Sequence, residues 1–240
     1  MPDTLRSCIV AESGYTFISL DASQIELRVI AYLSGDPQML EDLRSGDIHT
    51  ASAIRMFGWT DDKSEMKHRR YKAKQGNFAE VYDIGEEGLA VWLECSVEEA
   101  IEFREEKKKA YPRLYAWKDE EKAKAKKSGY VISPFGRIRP IPELYAGSYK
   151  IREKAEREVV NSIVQGMAVD IVKIAGLYLR NMLEYRVRFV LQVHDEWLLE
   201  CPDELVPQAI EVCKTLAQFL PLYPFTVSVG KVYNQLEEVK

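Results

Sequence analysis

The 240-residue chain has few of the residues that build disulfide frameworks or zinc sites. It contains four cysteines, at positions 8, 95, 201 and 213, and three histidines, and no two cysteines have the CxxC spacing. This scarcity argues against a disulfide scaffold and against a Cys/His zinc site. It favours a reducing, cytoplasmic setting.

Targeting and membrane signals are also missing from the sequence. The first twenty residues lack a basic region followed by a long apolar run, and no stretch reaches membrane-spanning length. The sequence therefore predicts a protein with no targeting signal and no membrane association.

An excess of positive charge, the usual mark of a nucleic-acid binder, is absent as well, because the formal net charge is −5. Lysine and arginine are nevertheless clustered, and residues 63–74 hold six of them. Further basic clusters lie at 107–109, 122–127, 137–139 and 150–157. Segregated charge of this kind can line a phosphate-binding groove while acids elsewhere keep the total negative.

Strand-like and helix-like patterns occupy different parts of the chain. Short apolar, β-branched runs lie at 16–21, 186–202 and 225–229, near the two ends. The middle shows helical spacing with capping signals at Asp47 and Ser96, and with a basic helix that begins at about Asp62. We expect the ends to pair into one sheet, which gives an α+β fold with a large helical insertion.

The most basic of the predicted helices ends in aromatic residues, in the sequence RRYKAKQGNFAEVY. A helical repeat of 100° per residue places Lys67, Arg70, Lys74, Asn77 and Phe78 on one stripe. Such a stripe suits an anion that carries a flat group, as a nucleoside triphosphate does. The alternative is a solvated basic face with Phe78 turned into the core.

Two aspartates follow apolar strand patterns, Asp21 after FISL and Asp195 after VLQV. A carboxylate presented by a buried strand is costly unless it is paired or bound to metal. Two such carboxylates from separate strands suit a pair of Mg²⁺ ions that act on a phosphoryl group. Either aspartate alone could equally be a turn or capping residue.

Three motifs together resemble the family A DNA polymerases, the bacterial DNA polymerase I type. They are DASQIELR at 21–28, R-x3-K-x2-NF-x3-Y from Arg70 to Tyr82, and QVHDE at 192–196. Their order is that of motifs A, B and C of the family. The resemblance implies a polymerase palm with a small antiparallel sheet and a large helical fingers insertion. Residues 1–36 and 158–240 would form the palm and 37–157 the fingers.

The resemblance implies a catalytic centre with two Mg²⁺ ions. Asp21 and Asp195 would bind the metals, with the Ala22 carbonyl as a backbone ligand and Glu196 as an accessory acid. Lys74 would bind the triphosphate and could protonate the leaving pyrophosphate.

The resemblance also implies the residues that contact the substrates, which would be dNTPs and primer–template DNA. Expected nucleotide-binding residues are Arg70, Lys74, Phe78, His49, Gln24, Glu26 and Tyr82. Within this set Glu26 would exclude a ribose 2′-OH and Tyr82 would stack at the templating position. Expected DNA-binding residues are Asn161, Gln165 and His194. The setting would be the cytoplasm of a bacterial or phage-infected cell.

Several features depart from the family pattern. Ala22 stands where an aromatic residue is usual, Tyr233 stands where a tryptophan is common, and Asp83 replaces the glycine that normally follows the tyrosine of motif B. Loss of the glycine is expected to limit how freely the end of the helix can pivot, because glycine allows more backbone conformations than other residues. Asp83 also adds a negative charge near template phosphates. The family's thumb and first palm strands have no counterpart, so we expect a truncated enzyme or a split one whose second chain supplies these parts.

The leading interpretation is the catalytic part of a template-directed DNA polymerase. A non-catalytic nucleic-acid-binding or structural remnant of such an enzyme is the main alternative, favoured by Ala22 and Asp83. A two-metal nuclease lacks additional ligands beside either motif, and a gate at Glu26 disfavours an RNA polymerase.

Overall fold

The computed structural model describes residues 2–220 and 222–239, which form ten α-helices and seven β-strands. The helices are α1 Asp3–Arg6, α2 Ile25–Ser34, α3 Pro37–Arg44, α4 Ile48–Phe57, α5 Lys63–Val81, α6 Glu86–Leu93, α7 Val97–Ala110, α8 Pro112–Ser128, α9 Tyr149–Met182 and α10 Val206–Phe219. The strands are β1 Tyr15–Ala22, β2 Tyr130–Ile132, β3 Ile138–Pro140, β4 Arg188–Val193, β5 Glu196–Pro202, β6 Phe225–Gly230 and β7 Glu237–Glu238.

Contacts divide the chain into two compact units. The first, called here the terminal unit, comprises Met1–Ile25 and Ala168–Lys240. The second, the central unit, comprises Glu26–Met167. Mixed helical and antiparallel-sheet content confirms the predicted α+β class.

The terminal unit is built on a five-stranded sheet with the order β4-β5-β1-β6-β7, in which all neighbours are antiparallel. Both faces of β1 are covered, which explains its nearly continuous apolar run. Ile18 and Leu20 pack in a core with residues of α9 and α10, while Phe17 packs on the other face with Leu198 and Tyr233. The predicted pairing of the chain ends is therefore confirmed.

Helix α9 is long and apolar enough, by length and composition, to cross a membrane, contrary to the expectation that no stretch has this length. Half of its apolar stretch is buried, and a helix in a protein core passes the same test of length and composition. In the terminal unit this helix contacts the sheet closely at Gly176. A Cβ atom there would lie 2.6 Å from the Trp197 ring.

The central unit is mainly helical, and its helix starts follow the predicted capping signals. Asp47 and Ser96 cap α4 and α7 as expected, and Ser96 forms a capping box with Glu99. Helix α5 begins where expected, and Asp62 caps it. Residues 130–140 form the β2–β3 hairpin. Helices α3 and α6 were not predicted from the sequence, and Gly88 lies inside α6.

Gly76 lies within α5 because a side chain there would collide with Phe103. An added Cβ would be 2.4 Å from two atoms of the Phe103 ring, which also contacts the Phe57 ring with centroids 6.0 Å apart. Gly76→Ala should therefore lower the free energy of unfolding by about 1–2 kcal/mol. Overpacking against Phe103 destabilises the protein by more than the higher helix propensity of alanine stabilises it. Chemical denaturation measures this.

The control for Gly76→Ala is Gln75→Ala, which changes the adjacent residue of the same helix and should alter stability by less than about 0.5 kcal/mol. If Gly76→Ala instead raised the free energy of unfolding, α5 and the Phe103 side chain could move apart without loss of stability.

Candidate active site

Antiparallel pairing brings three carboxylates to one end of the sheet in the terminal unit. Asp21 on β1 lies directly opposite Glu196 on β5, and the Ala22 amide donates to the carbonyl of Asp195 over 3.1 Å. Asp195 lies in the tight turn between β4 and β5. The sheet thus places together the two carboxylates that were predicted from separate parts of the sequence.

The electrostatics of this carboxylate cluster favour a bound cation. Burial, together with the negative charges of Asp195 and Glu196, raises the pKa of Asp21 to about 6, while Arg6 opposes this effect. The Asp21 side chain is nevertheless open to solvent, so surrounding protein removes only part of its water. The expectation of a buried carboxylate is wrong for Asp21, although the four preceding strand residues are buried.

Glu196 is the buried member of the cluster, and it is held by hydrogen bonds. It accepts from Ser19 Oγ at 2.6 Å and from the Tyr233 hydroxyl at 2.5 Å, and Arg6 Nη2 lies 3.6 Å away. The Arg6 guanidinium also lies over the Tyr233 ring, 4.6 Å from its centroid. Glu196 therefore has a fixed orientation beside Asp21.

Arg6 and Ser19 were not predicted from the sequence, and Tyr233 was noted only as a departure from the family pattern. Ser19 carried a detectable signal, because a polar residue two positions before Asp21 must share its face of the strand. The other two residues lie far from Glu196 in sequence, and no local pattern connects them.

Two residues beside the carboxylates have backbone conformations that side chains usually avoid. Gln24 has φ 54° and His194 has φ 55°, both in the left-handed region. Gln24 Oε1 is also buried with no hydrogen-bond partner within residues 2–220 and 222–239. Strained backbone and an unsatisfied acceptor are typical of positions that meet a ligand.

The residues present fit magnesium better than a metal held by protein alone. Within the described part of the chain, no three His, Cys, Asp or Glu side chains converge as a metal cluster. Mg²⁺ is commonly bound by one or two carboxylates together with substrate phosphates and water. Asp21 and Asp195 match that requirement, whereas the role of the Ala22 carbonyl stays a prediction.

In the central unit, α5 presents the predicted anion-binding residues on one face. Arg70, Lys74 and Phe78 follow one another at intervals of four residues, and Lys74 Nζ lies 6.0 Å from the Phe78 ring. His49 of α4 adds a second aromatic ring, with its centroid 5.9 Å from that of Phe78. Phe78 is only half-buried, so it is not simply a core residue.

Arg70 is held by Asp47, the N-cap of α4. Arg70 Nε donates to Asp47 Oδ2 over 2.8 Å. Burial acts to raise the pKa of Asp47, but hydrogen bonds from Arg70 and Thr50 lower it to about 2. The pair therefore stays ionised near neutral pH and fixes the guanidinium between the two helices.

His49 is buried and neutral at pH 7. Burial, together with the cations Arg70 and Lys74, lowers its pKa to about 4 against the opposing effect of Asp47. Asn77 Nδ2 lies 3.1 Å from His49 Nδ1. Because the amide nitrogen donates, Nδ1 accepts, which leaves the Nε2 hydrogen as a donor.

As the helical spacing predicts, Asn77 follows Arg70 by two turns of α5 and lies near the same stripe. Its side chain is buried, and it contacts His49 and Ser52. Its role in orienting His49 was not predicted from the sequence.

The C-terminal end of α5 carries Tyr82 and the unusual Asp83. The Tyr82 ring meets Trp92 edge-on, with centroids 6.1 Å apart. Asp83 has φ 48° and forms ion pairs with Lys118 at 3.3 Å and Lys122 at 2.5 Å. The negative charge expected beside template phosphates is therefore balanced within the central unit.

The remaining predicted residues are distributed over both units. Glu26 lies in the first turn of α2, and Asn161 and Gln165 lie one turn apart on α9. Asn161 Oδ1 is buried without a hydrogen-bond partner among the residues that the structure describes. The terminal unit thus holds Asp21, Ala22, Gln24, His194, Asp195 and Glu196, and the central unit holds the others.

Comparisons with known proteins identify the family of the chain. The family model described as DNA polymerase family A matches residues 1–231. The chain is 39% identical over 230 residues to a thermostable DNA polymerase I of Thermus thermophilus, a match covering 94% of this chain and 28% of that protein. It is 36% identical over 222 residues to DNA polymerase I of Bacillus caldotenax, covering 88% and 25%.

A solved structure is similar over nearly the whole chain. It is the POL domain of Pol1 from M. smegmatis in complex with DNA primer-template and dNTP, with a TM-score of 0.87 and 29% sequence identity. The match covers 98% of this chain and 43% of that one. The chain therefore spans less than half of the solved relative and about a quarter of the curated ones.

Proposed function

Because the chain belongs to DNA polymerase family A, we propose that it carries out template-directed DNA synthesis, transferring a nucleotide from a dNTP to a primer 3′-OH. One observation carries this proposal: the Ala22–Asp195 hydrogen bond brings the turn that bears Asp195 beside Asp21. The relative solved with primer-template and dNTP supports DNA and dNTPs as ligands.

We assign palm function to residues 1–36 and 158–240 and fingers function to 37–157. In this assignment the carboxylate cluster belongs to the palm, and the face of α5 belongs to the fingers. The contact-based division, between Ile25 and Glu26 and between Met167 and Ala168, places those two groups of residues in different units. The second chain expected to supply a thumb stays a prediction.

In the palm, Asp21 and Asp195 would hold two Mg²⁺ ions. Bound there, the ions supply Lewis-acid activation of the primer 3′-OH and neutralise charge on the phosphates. Burial contributes most to the raised pKa of Asp21, and repulsion by Asp195 and Glu196 adds to it; bound cations would relieve that repulsion. Glu196, fixed by Ser19 and Tyr233, would orient the site without leaving its buried position.

In the fingers, α5 would bind the triphosphate through Arg70 and Lys74 and the base through Phe78. Phosphoryl transfer requires mainly positioning and electrostatic stabilisation from the protein, which these cations are placed to give. Neutral His49 would donate a hydrogen bond from Nε2 to a phosphate oxygen. Lys74, an ammonium that can lose a proton, would donate that proton to the leaving pyrophosphate.

The other substrate contacts are proposed from the family resemblance together with local structure. Tyr82 would stack at the templating position. Gln24 would accept from a sugar hydroxyl through its unsatisfied Oε1, or donate to a phosphate oxygen through its amide nitrogen. Asn161, Gln165 and His194 would contact the minor groove, where correct base pairs present acceptors at equivalent places.

The direct test is extension of a primed template by the 240-residue chain with Mg²⁺, compared with the same mixture containing EDTA. The alternative, a DNA-binding protein without turnover, is favoured by Asp83, which two lysines hold in a strained conformation. Binding of primer–template without any extension would support that alternative.

Glu26→Ala should increase ribonucleotide incorporation relative to deoxyribonucleotide incorporation. Removal of the side chain opens the space a 2′-OH needs, and one hydroxyl in a pocket accounts for about 10-fold to 100-fold of discrimination. The ratio of the two kcat/KM values measures the effect. Glu41→Ala, an exposed residue paired with Arg44, is the control. An unchanged ratio would remove the gate assignment.

Phe78→Tyr should weaken discrimination against dideoxynucleotides, because a phenolic hydroxyl can supply the hydrogen bond that a missing 3′-OH would otherwise make. One such hydrogen bond corresponds to about 10-fold to 100-fold in relative incorporation. Competition between ddNTP and dNTP measures this, with Tyr71→Phe on an exposed part of α5 as control. If the selectivity of Phe78→Tyr matches that of the unaltered protein, Phe78 does not face the nucleotide.

A further inference from the structure

A cluster of buried charges joins the end of α5 to α8 in the central unit. Glu80 Oε2 lies 2.5 Å from Lys118 Nζ, and Glu80 Oε1 accepts from the Tyr115 hydroxyl over 2.7 Å. Glu80 is 4% exposed and Lys118 is 2% exposed. Lys107, also buried, has no hydrogen-bond partner among the described residues. Buried charges destabilise a fold unless partners compensate them. This cluster is therefore expected to have a role other than stability.

Two acidic residues of this network flank Tyr82 in the sequence. Glu80 lies in the last turn of α5, two residues before Tyr82, and Asp83 follows directly after it. Lys118 contacts both acids, since its Nζ is also 3.3 Å from Asp83 Oδ1. One lysine of α8 therefore holds the chain immediately before and after this tyrosine.

The turn after α5 is held in one conformation by these contacts. Asp83 has φ 48°, which a residue other than glycine retains only when its surroundings impose it. Lys122 adds a second ion pair to Asp83 at 2.5 Å, and Arg104 donates to the carbonyl of Ile84. The side-chain contacts thus select a backbone conformation that a glycine could adopt without them.

We propose that Lys118 is a positioning residue that fixes the orientation of Tyr82, and so controls how strictly the templating base is read. The proposal rests on the proposed function, because it assigns Tyr82 to the templating position. A glycine after Tyr82 would leave the backbone there free to change conformation. The ion pairs of Lys118 with Glu80 and Asp83 instead hold it in one conformation. Lys118 acts through Tyr82 and does not itself touch DNA or nucleotide.

Discrimination between a correct and a mismatched dNTP tests this proposal. Lys118→Met should raise the ratio of mismatched to correct kcat/KM about tenfold, mainly by lowering the KM for the mismatch. Lys118→Arg, which keeps the charge, should restore the ratio to within about twofold. Lys124→Met, which removes an exposed lysine paired with Glu121 on the same helix, is the matched control and should leave the ratio unchanged.

Two substitutions at Asp83 distinguish the effect of its backbone conformation from the effect of its charge. Asp83→Gly removes the ion pairs and frees the backbone, so it should raise the mismatch ratio as much as Lys118→Met does. Asp83→Asn removes the charge but tolerates the left-handed conformation, so its effect should be smaller. If Lys118→Met fails to fold, the Glu80→Gln/Lys118→Met double variant removes both buried charges and is used instead.

Amide hydrogen exchange provides a readout that does not need turnover. The amides of Tyr82, Asp83 and Ile84 donate to Phe78, Glu80 and Ala79. Lys118→Met should speed their exchange about tenfold relative to α4, and Lys124→Met should not. Equal exchange in the two variants, or equal mismatch ratios, would overturn the positioning role. Absence of extension by the unaltered protein would overturn the proposed function alone and leave exchange as the test.

Discussion

Asp195→Asn is expected to reduce Mg²⁺-dependent primer extension by about 10³-fold or more, the loss typical of removing a principal electrostatic group from an active site. Asp195 lies beside Asp21 at the end of the sheet, and its loss leaves one carboxylate where two are required. The rate of single-nucleotide addition at saturating dNTP measures this. Binding of primer–template should change little.

Asp203→Asn is the matched control for Asp195→Asn. Asp203 also lies in the terminal unit, but it is half-exposed and pairs with Lys231 at the surface. Such a pair contributes little to stability, so extension should remain near that of the unaltered protein. Extension that survives Asp195→Asn would contradict the assignment of the carboxylate cluster.

Lys74→Ala is expected to lower kcat/KM for the incoming dNTP by about 10²-fold to 10³-fold, because a positioned cation is removed where charge develops on the leaving group. Lys74 lies between Arg70 and Phe78 on the exposed face of α5. Its removal should lower kcat more than it raises KM if the ammonium also protonates pyrophosphate. Pre-steady-state incorporation separates the two effects.

Lys72→Ala provides the comparison on the same helix. Lys72 is two residues away and therefore lies on a different face, near Met56 and Phe103. It should have less than a twofold effect on kcat/KM. Equal reductions from the two substitutions would mean that α5 acts through its overall charge rather than through one face.

Local sequence signals predicted the helix starts and the strands that carry the carboxylates. Asp47, Asp62 and Ser96 act as caps through contacts within a few residues, so their patterns are readable directly. Asp21 and Asp195 were identified because each follows an apolar strand pattern. Their proximity depended on strand pairing, which the arrangement of strand patterns at the two ends suggested.

Long-range polar contacts could not be predicted in this way. Asp36 caps α3 through Oδ1, and its Oδ2 accepts from the amides of Arg113 and Leu114 at the start of α8. Nothing near Asp36 in sequence indicates the second helix. The same holds for Glu80 with Lys118, whose partnership is visible only after the helices pack.

Departures from the family pattern were predicted as weaknesses, and one of them has a local compensation. Asp83 was expected to add negative charge, but Lys118 and Lys122 balance it. Gly76, inside α5, makes room for the Phe103 ring. Both outcomes depend on residues more than twenty positions away.

Single-turnover addition of one nucleotide to a primed template tests the central claim most directly. The full chain is mixed with primer–template, Mg²⁺ and each of the four dNTPs separately. We predict a primer longer by one nucleotide only with the dNTP that complements the template base, and none when EDTA is present. A chain that binds primer–template yet adds no nucleotide, or adds one regardless of the template base, would contradict the account.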